Sequence, residues 1–268
     1  MNILQISVLH LSLTLVFVAG AVVMSLWNRL RLEKDILIGA ARTAIQLVAA
    51  GVLLRFIFRL DLWYVSLVVL AVMLVAAGFG ALGRLGVRGA RMYGILVASI
   101  AVASSAALLF LLGLVVRVSP WYDPRYVIPV AGMVIGNSMT AAALCLNRFH
   151  GELKLRSSEV EARLALGATS SQAARNATKA AARAAAIPVL ANLATVGMVQ
   201  LPGMMTGQIL AGIDPTQAIR YQIAIMYVLL AAKMATALLA ARLARGLFFT
   251  PAHQLRTGLL DGSSKTGL

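Results

Sequence analysis

The stretch "VIPVAGMVIGNSMTAAALCL", residues 127–146, holds twenty consecutive residues without a lysine, arginine, aspartate or glutamate. As an α-helix it is about 30 Å long, the thickness of the hydrocarbon core of a bilayer. Runs of this kind recur along the whole chain. Of 268 residues, 60% are apolar and only 12% charged, where a water-soluble domain carries about a quarter; the mean hydropathy is +0.88. There is too little polar surface here to cover a soluble globule. The sequence is that of an all-α integral membrane protein.

Working outward from residues 127–146, seven spans are expected, at 3–26, 36–58, 62–82, 92–116, 127–146, 184–213 and 219–243. The net charge of +15 would suit a nucleic-acid binder, but the cations sit in short patches between apolar runs, which is how a membrane protein fixes its orientation. With the N-terminus outside, 17 of the 24 lysines and arginines fall in cytoplasmic segments and five in outside segments. The expected fold is therefore a bundle of about seven transmembrane helices, N-terminus outside and C-terminus cytoplasmic. The first basic residue, Arg29, follows the first apolar run, so that run reads as a retained span and not a cleaved signal peptide. Residues 1–249 form one transmembrane domain with a large cytoplasmic loop at 147–183. The tail 250–268 is expected to be disordered.

Several motifs carry less than they promise. "GFGALG" (78–83) has the letters of a dinucleotide fingerprint but ends an apolar helical run, with no strand leading into it. Close helix packing explains it better. The lone Cys145 has no CxxC partner, and His10, His150 and His253 stand in no metal-ligand spacing. No carboxylate pair or nucleophile–base set points to an enzyme.

The segment "SSEVEARLALGATSSQAARNATKAAARAAAIP" (157–188) interrupts the apolar pattern. Ser158 followed by Glu161 is a capping-box spacing, and Glu159 with Arg163 stand at i, i+4. Gly167 is placed to end this first helix. Thr169 with Gln172 starts a second, on which Arg175, Lys179 and Arg183 recur every four residues beside an alanine face. Ile187–Pro188 then leads into the sixth span. A solvated basic loop accounts for the charge, while a docking surface also accounts for the two capping signals around a glycine.

"EARLALG" (161–167) resembles the Glu-Ala-Ala…Gly loop of ABC transporter permeases, with arginine at 163 in place of alanine. "ARTAIQLVAAGVLL" (41–54), "GMVIGNSMTAAALCLNRF" (132–149) and "LPGMMTGQILAGIDPTQAIRYQIAIMY" (201–227) together resemble the FetB (YbbM) permease family. The resemblance implies a permease subunit in the bacterial inner membrane, paired as a homodimer with a cytoplasmic FetA-type ATPase. That partner would bind ATP-Mg, and this chain no cofactor. The implied activity is export of iron or another metal. The alternatives are a nucleotide sugar or other small solute as cargo, or an ATP-independent channel or secondary transporter. Coupling would fall to Glu159, Glu161, Ala162, Arg163, Gly167, Arg175 and Lys179.

Polar residues within spans need a reason, since a mid-bilayer charge costs about 2.5–3.5 kcal/mol on insertion scales. Arg42 and Gln46 share a helix face and suit either a transport path or snorkelling and interhelical contact. Asn137 and Ser138 suit a polar wall or close packing. At "QLPGMMTGQ" (200–208), Pro202 and Gly203 open the backbone beside Gln200, Thr206 and Gln208, which reads as a hinge in a kinked crossing, with a re-entrant hairpin over 200–207 as the alternative. Met204 and Met205 offer thioethers that suit soft ions, but methionines more often fill space, and no metal site is assigned. Lys233 suits either an anionic cargo or the bundle interior.

Overall fold

The structure, a computed structural model, describes residues 7–60, 62–87 and 89–260. Arg88, Lys265 and the start of the first expected span lie outside them. The described chain is helical: α1 (Val8–Leu13), α2 (Leu15–Trp27), α3 (Glu33–Leu60), α4 (Trp63–Leu82), α5 (Ala90–Leu108) with a π-helical extension (Leu109–Val115), α6 (Pro124–Leu155), α7 (Ser157–Ala165), α8 (Ser170–Ala173), α9 (Arg175–Thr195), α10 (Gly203–Leu210), α11 (Pro215–Phe248) and α12 (Thr257–Leu260). No strand forms among these residues. Six helices are long and apolar enough to cross a membrane: Leu9–Trp27, Glu33–Leu60, Trp63–Leu82, Ala90–Val115, Pro124–Leu155 and Pro215–Phe248. This is a multi-pass membrane protein.

The sixth expected span is corrected. Residues 184–213 are not one kinked helix: α9 ends at Thr195 and α10 begins only at Gly203. Val196 turns extended (φ −62°, ψ 134°), Gly197 takes the left-handed φ of +84°, and its N–H donates to Gln200 O at 3.0 Å. Pro202 has no N–H to carry a helix onward. Two breakers five residues apart make a full interruption where one would make a kink. Pro188, expected at the start of that span, lies inside α9, because the basic helix and the membrane segment after it are one continuous helix.

The chain divides into two compact units. One comprises α1–α3 with residues 210–212. Its α2–α3 turn is organised by buried Ser25, whose hydroxyl donates to Glu33 Oε1 at 2.8 Å and accepts the Leu32 N–H at 3.1 Å. Most other side chains of this unit are exposed and apolar, a surface that suits lipid.

The second unit centres on α6. Asp–Pro pairs start both of its longest helices: Asp123 caps α6 and Asp214 caps α11, each with proline in the first helical turn. The Thr216 hydroxyl and N–H, donating to Asp214, hold that carboxyl below its usual range. Small residues let the helices approach closely. Ala177, Ala181 and Ala185 of α9, and Ala237, Ala240, Ala241 and Ala244 of α11, are buried with Val134, Ala142, Cys145 and Phe149 of α6. The "GFGALG" stretch ends α4, as expected, with Gly83 its C-cap. A Cβ on Gly80 would sit 2.8 Å from Met139 Sδ, and one on Gly78 would overlap Val97 and come 2.8 Å from Tyr93 Cε2. Gly78→Leu is therefore expected to cost about 1–3 kcal/mol, read as a lower thermal midpoint in detergent. Gly83→Ala, whose nearest neighbour is 3.5 Å away, should change it little.

With 32 and 34 residues, α6 and α11 are about 50 Å long and outrun a 30 Å hydrocarbon core. Their C-terminal turns and the first half of α9 gather at one end of the unit. Phe149 and Phe248 meet there edge to face, with ring centroids 5.9 Å apart. The expected tail also starts there: Leu255 packs on the core and Leu260 of α12 is buried. Residues 250–260 are thus part of the fold, while 261–268 lie outside the described residues.

Candidate functional site

The polar loop is a built structure on that end of the second unit. Its first nine residues, 147–155, complete α6, and only Arg156 separates α6 from α7. Ser158 is consequently already helical, and the capping box expected with Glu161 does not form. An ion-pair ladder joins the helices instead. Buried Glu152 pairs with Arg148 at 2.6 Å and Arg156 at 3.1 Å; Arg156 reaches Glu159 at 3.7 Å, and Arg163 meets Glu159 at 2.6 Å. The last pair is the one expected from spacing. Glu152 was not anticipated, although the spacing Arg148, Glu152, Arg156 is legible in the sequence.

Helix α7 turns Val160 and Leu164 inward, onto the core. Glu161, Ala162 and Ala165 face solvent, and Leu166 is 89% exposed. Gly167 ends the helix with φ +87°. Its N–H donates to Leu164 O and the Ala168 N–H to Arg163 O, both at 3.0 Å, the double closure of a Schellman motif. Two residues on, the expected capping box is present: Thr169 and Gln172 satisfy each other's backbone N–H groups. The chain reverses rigidly between α7 and α8 and, after Ala174, enters α9. There Arg175, Lys179 and Arg183 are exposed, and the alanine face packs against α6 and α11.

Sequence reasoning missed the second wall of this site. The segment after α11 folds back through a Phe249–Leu255 bridge. The Ser170 N–H donates to His253 Nδ1 at 3.3 Å, and Arg245 Nη1 to Ser171 Oγ at 2.7 Å. An open cleft of about 530 Å³ lies between the two walls, lined by Glu161, Ala165 and Gly167 on one side and His253, Gln254 and Leu255 on the other. Glu161 and Gly167 are thus brought together with residues almost ninety positions away. The contact depends on the long-range packing of α12 on α6, which carries no local signal.

The other expected residues fall elsewhere. Arg42 and Gln46 lie on α3 in the first unit, exposed and with no hydrogen bond to another described residue. On α6, Asn137 Nδ2 donates to Met133 O at 2.7 Å. Ser138 is fully buried and accepts from Ser104 Oγ of α5 at 3.2 Å, an interhelical bond of the packing kind. Around the break, Gln200 is exposed and Pro202 and Met205 half-buried; Met204 packs on the core, and Thr206 Oγ1 donates to Pro202 O at 3.2 Å. Gly203 starts α10, and Gln208 Oε1 is buried without a hydrogen-bond partner among the described residues. No group of three or more histidine, cysteine or acidic residues gathers to hold a metal ion among the described residues.

Over residues 8–249 the chain matches the family described as Uncharacterised protein family (UPF0014). It is 36% identical over 255 residues to the "Probable iron export permease protein FetB" of Escherichia coli, covering 95% of this chain and 97% of that one. It is 38% identical over 248 residues to the "UPF0014 membrane protein YjkA" of Bacillus subtilis, covering 92% and 98%. It is 35% identical to the "Protein ALUMINUM SENSITIVE 3" of Arabidopsis thaliana over 91% of this chain and 88% of that one. No solved structure matches.

Proposed function

This chain belongs to the UPF0014 family of membrane proteins, and we propose that it is the permease subunit of an ABC-type transporter that exports iron or another metal from the bacterial cytoplasm. Two copies would work with two cytoplasmic ATPase subunits of the FetA type, which would bind ATP-Mg. The observation that carries this reading is the rigid reversal at Gly167. An exposed short helix is locked at its C-terminal end by two backbone hydrogen bonds and at its base by the Glu152 ion-pair ladder. Beyond Thr169 it continues into α9, which is wedged between α6 and α11.

Such a device transmits force. A partner seated on Glu161, Ala162 and Leu166 moves α7. The reversal passes that motion to α9, and the alanine face, with no long side chains to absorb it, passes it on to α6 and α11. At its far end α9 stops at the Val196–Pro202 break, which is where a change in α9 would alter backbone exposed to a path. The probable-iron-exporter name of the Escherichia coli relative supports metal as cargo.

One observation favours an anionic cargo instead, such as a nucleotide sugar or a metal held in an anionic complex. Lys233 of α11 is only 8% exposed and has no acidic partner among the described residues, and a buried cation at mid-membrane attracts anions. Vesicles containing this chain and its ATPase separate the readings. Iron export expects ATP-dependent movement of ferrous iron. An anionic cargo expects movement of the nucleotide sugar or chelate and none of the bare ion. Transport without nucleotide would contradict both.

A further inference from the structure

We propose that the C-terminal end of α11 binds an anionic phospholipid, with the phosphate in an arginine-lined cleft and an acyl chain in the groove beside it. The cleft holds about 510 Å³ and is lined by Arg242, Arg245 and Arg256 with Ser170, Thr250 and His253. Among the described residues no carboxylate lines it. Among the described residues, none of the ion pairs Arg148–Glu152, Arg156–Glu152, Arg156–Glu159 and Arg163–Glu159 takes up Arg242, Arg245 or Arg256. Arg245 spends one guanidinium nitrogen on Ser171 and keeps its remaining donors.

A second groove of about 410 Å³ adjoins it. Leu243 and Gly246 line both, and beyond them Gly94, Ile95, Ala98 and Leu247 give an apolar floor between α5 and α11, with Arg91 at the end. A cationic cleft and an apolar groove sharing a wall match a molecule that is phosphate at one end and hydrocarbon at the other. A free anion would use only the first, and a neutral lipid only the second.

The position along α11 fits the same occupant. Arg220 and Arg242 bracket 21 residues, about 32 Å of helix, so that Arg242 stands at the level of the lipid phosphates when the apolar stretch fills the hydrocarbon core. Arg91, which opens the apolar run of α5, stands at the same end. The site touches the coupling segment through Ser170, so a bound headgroup would brace the reversal between α7 and α8.

The test uses the full chain purified in mild detergent, with phosphatidylglycerol, phosphatidylcholine or millimolar inorganic phosphate added. Binding is read by native mass spectrometry and by the thermal midpoint. Phosphatidylglycerol is expected to bind and raise the midpoint, and the other two to do neither. In R242A/R245A/R256A its affinity should fall about fivefold for each arginine removed. Should that variant fold poorly, Gly246→Leu carries the test with every charge in place. A Cβ at Gly246 meets nothing within 4 Å, so leucine fills the groove without strain and should displace the lipid. Equal binding of the two lipids, binding of free phosphate as tight as that of phosphatidylglycerol, or undiminished binding by Gly246→Leu would overturn the proposal.

Discussion

Gly167→Pro is expected to leave the protein inserted in the membrane and folded, and to reduce cargo-dependent transport to background. The glycine sits at φ +87°, a region that the proline ring, fixed near φ −65°, cannot enter. Proline also removes the N–H that donates to Leu164 O. The reversal between α7 and α8 must then take another path, and α7 loses its fixed direction. The bundle is spared because Gly167 is exposed and a Cβ there meets no neighbour within 4 Å. Gly167→Ala separates strain from loss of the bond. It keeps the N–H and pays about 1–2 kcal/mol for the left-handed conformation, so it should slow transport without abolishing it. Transport by the proline variant at the normal rate, in vesicles that contain the ATPase, would remove Gly167 from the coupling path.

Leu166→Asp is expected to weaken the complex with the ATPase subunit by tenfold or more, while the monodisperse yield of the permease alone stays unchanged. At 89% exposure, Leu166 contributes little to the fold of its own chain. A leucine left in water at the tip of a rigid helix end, one turn from Ala162, has the properties of an anchor that fills a partner's pocket. Carboxylate there would be buried without a partner in the complex, and that penalty sets the size of the loss. Pull-down of the ATPase by variant and wild type measures it. A variant that binds as well as wild type would place the docking contact elsewhere on α7.

The residues show which parts of this architecture are readable in one dimension. All six membrane helices, and the helix–glycine–helix form of the polar loop, follow from local rules: long apolar runs, Thr169 with Gln172, and a glycine where a Schellman closure needs positive φ. In the sixth span the breakers Pro202 and Gly203 are legible, but hydropathy runs on through Val196, Val199 and Leu201, so the turn at Gly197 that widens the break leaves no local sign. The capping box at Ser158 failed for a related reason. The spacing was correct, but α6 runs on to Leu155 and leaves no exposed N-terminus to cap. Glu152 becomes the joint of α6 and α7 only through its burial between Arg148 and Arg156, a burial that no local pattern marks. The wall formed by His253 and Leu255 depends on Phe249 and Leu260 finding places against distant helices. Arg42 and Gln46 share one face of α3, as their spacing of four implies, and both are exposed on it.

The central claim is that the α7–Gly167–α8 reversal is the place where an ATPase subunit grips this permease. The most direct measurement is site-specific cross-linking from a photoreactive residue at position 166 in the intact membrane, with the ATPase of the same genome co-expressed. The account predicts one dominant adduct, with the ATPase subunit, whose yield changes when nucleotide is added. An intact complex that cross-links from other cytoplasmic positions but not from 166 would contradict it.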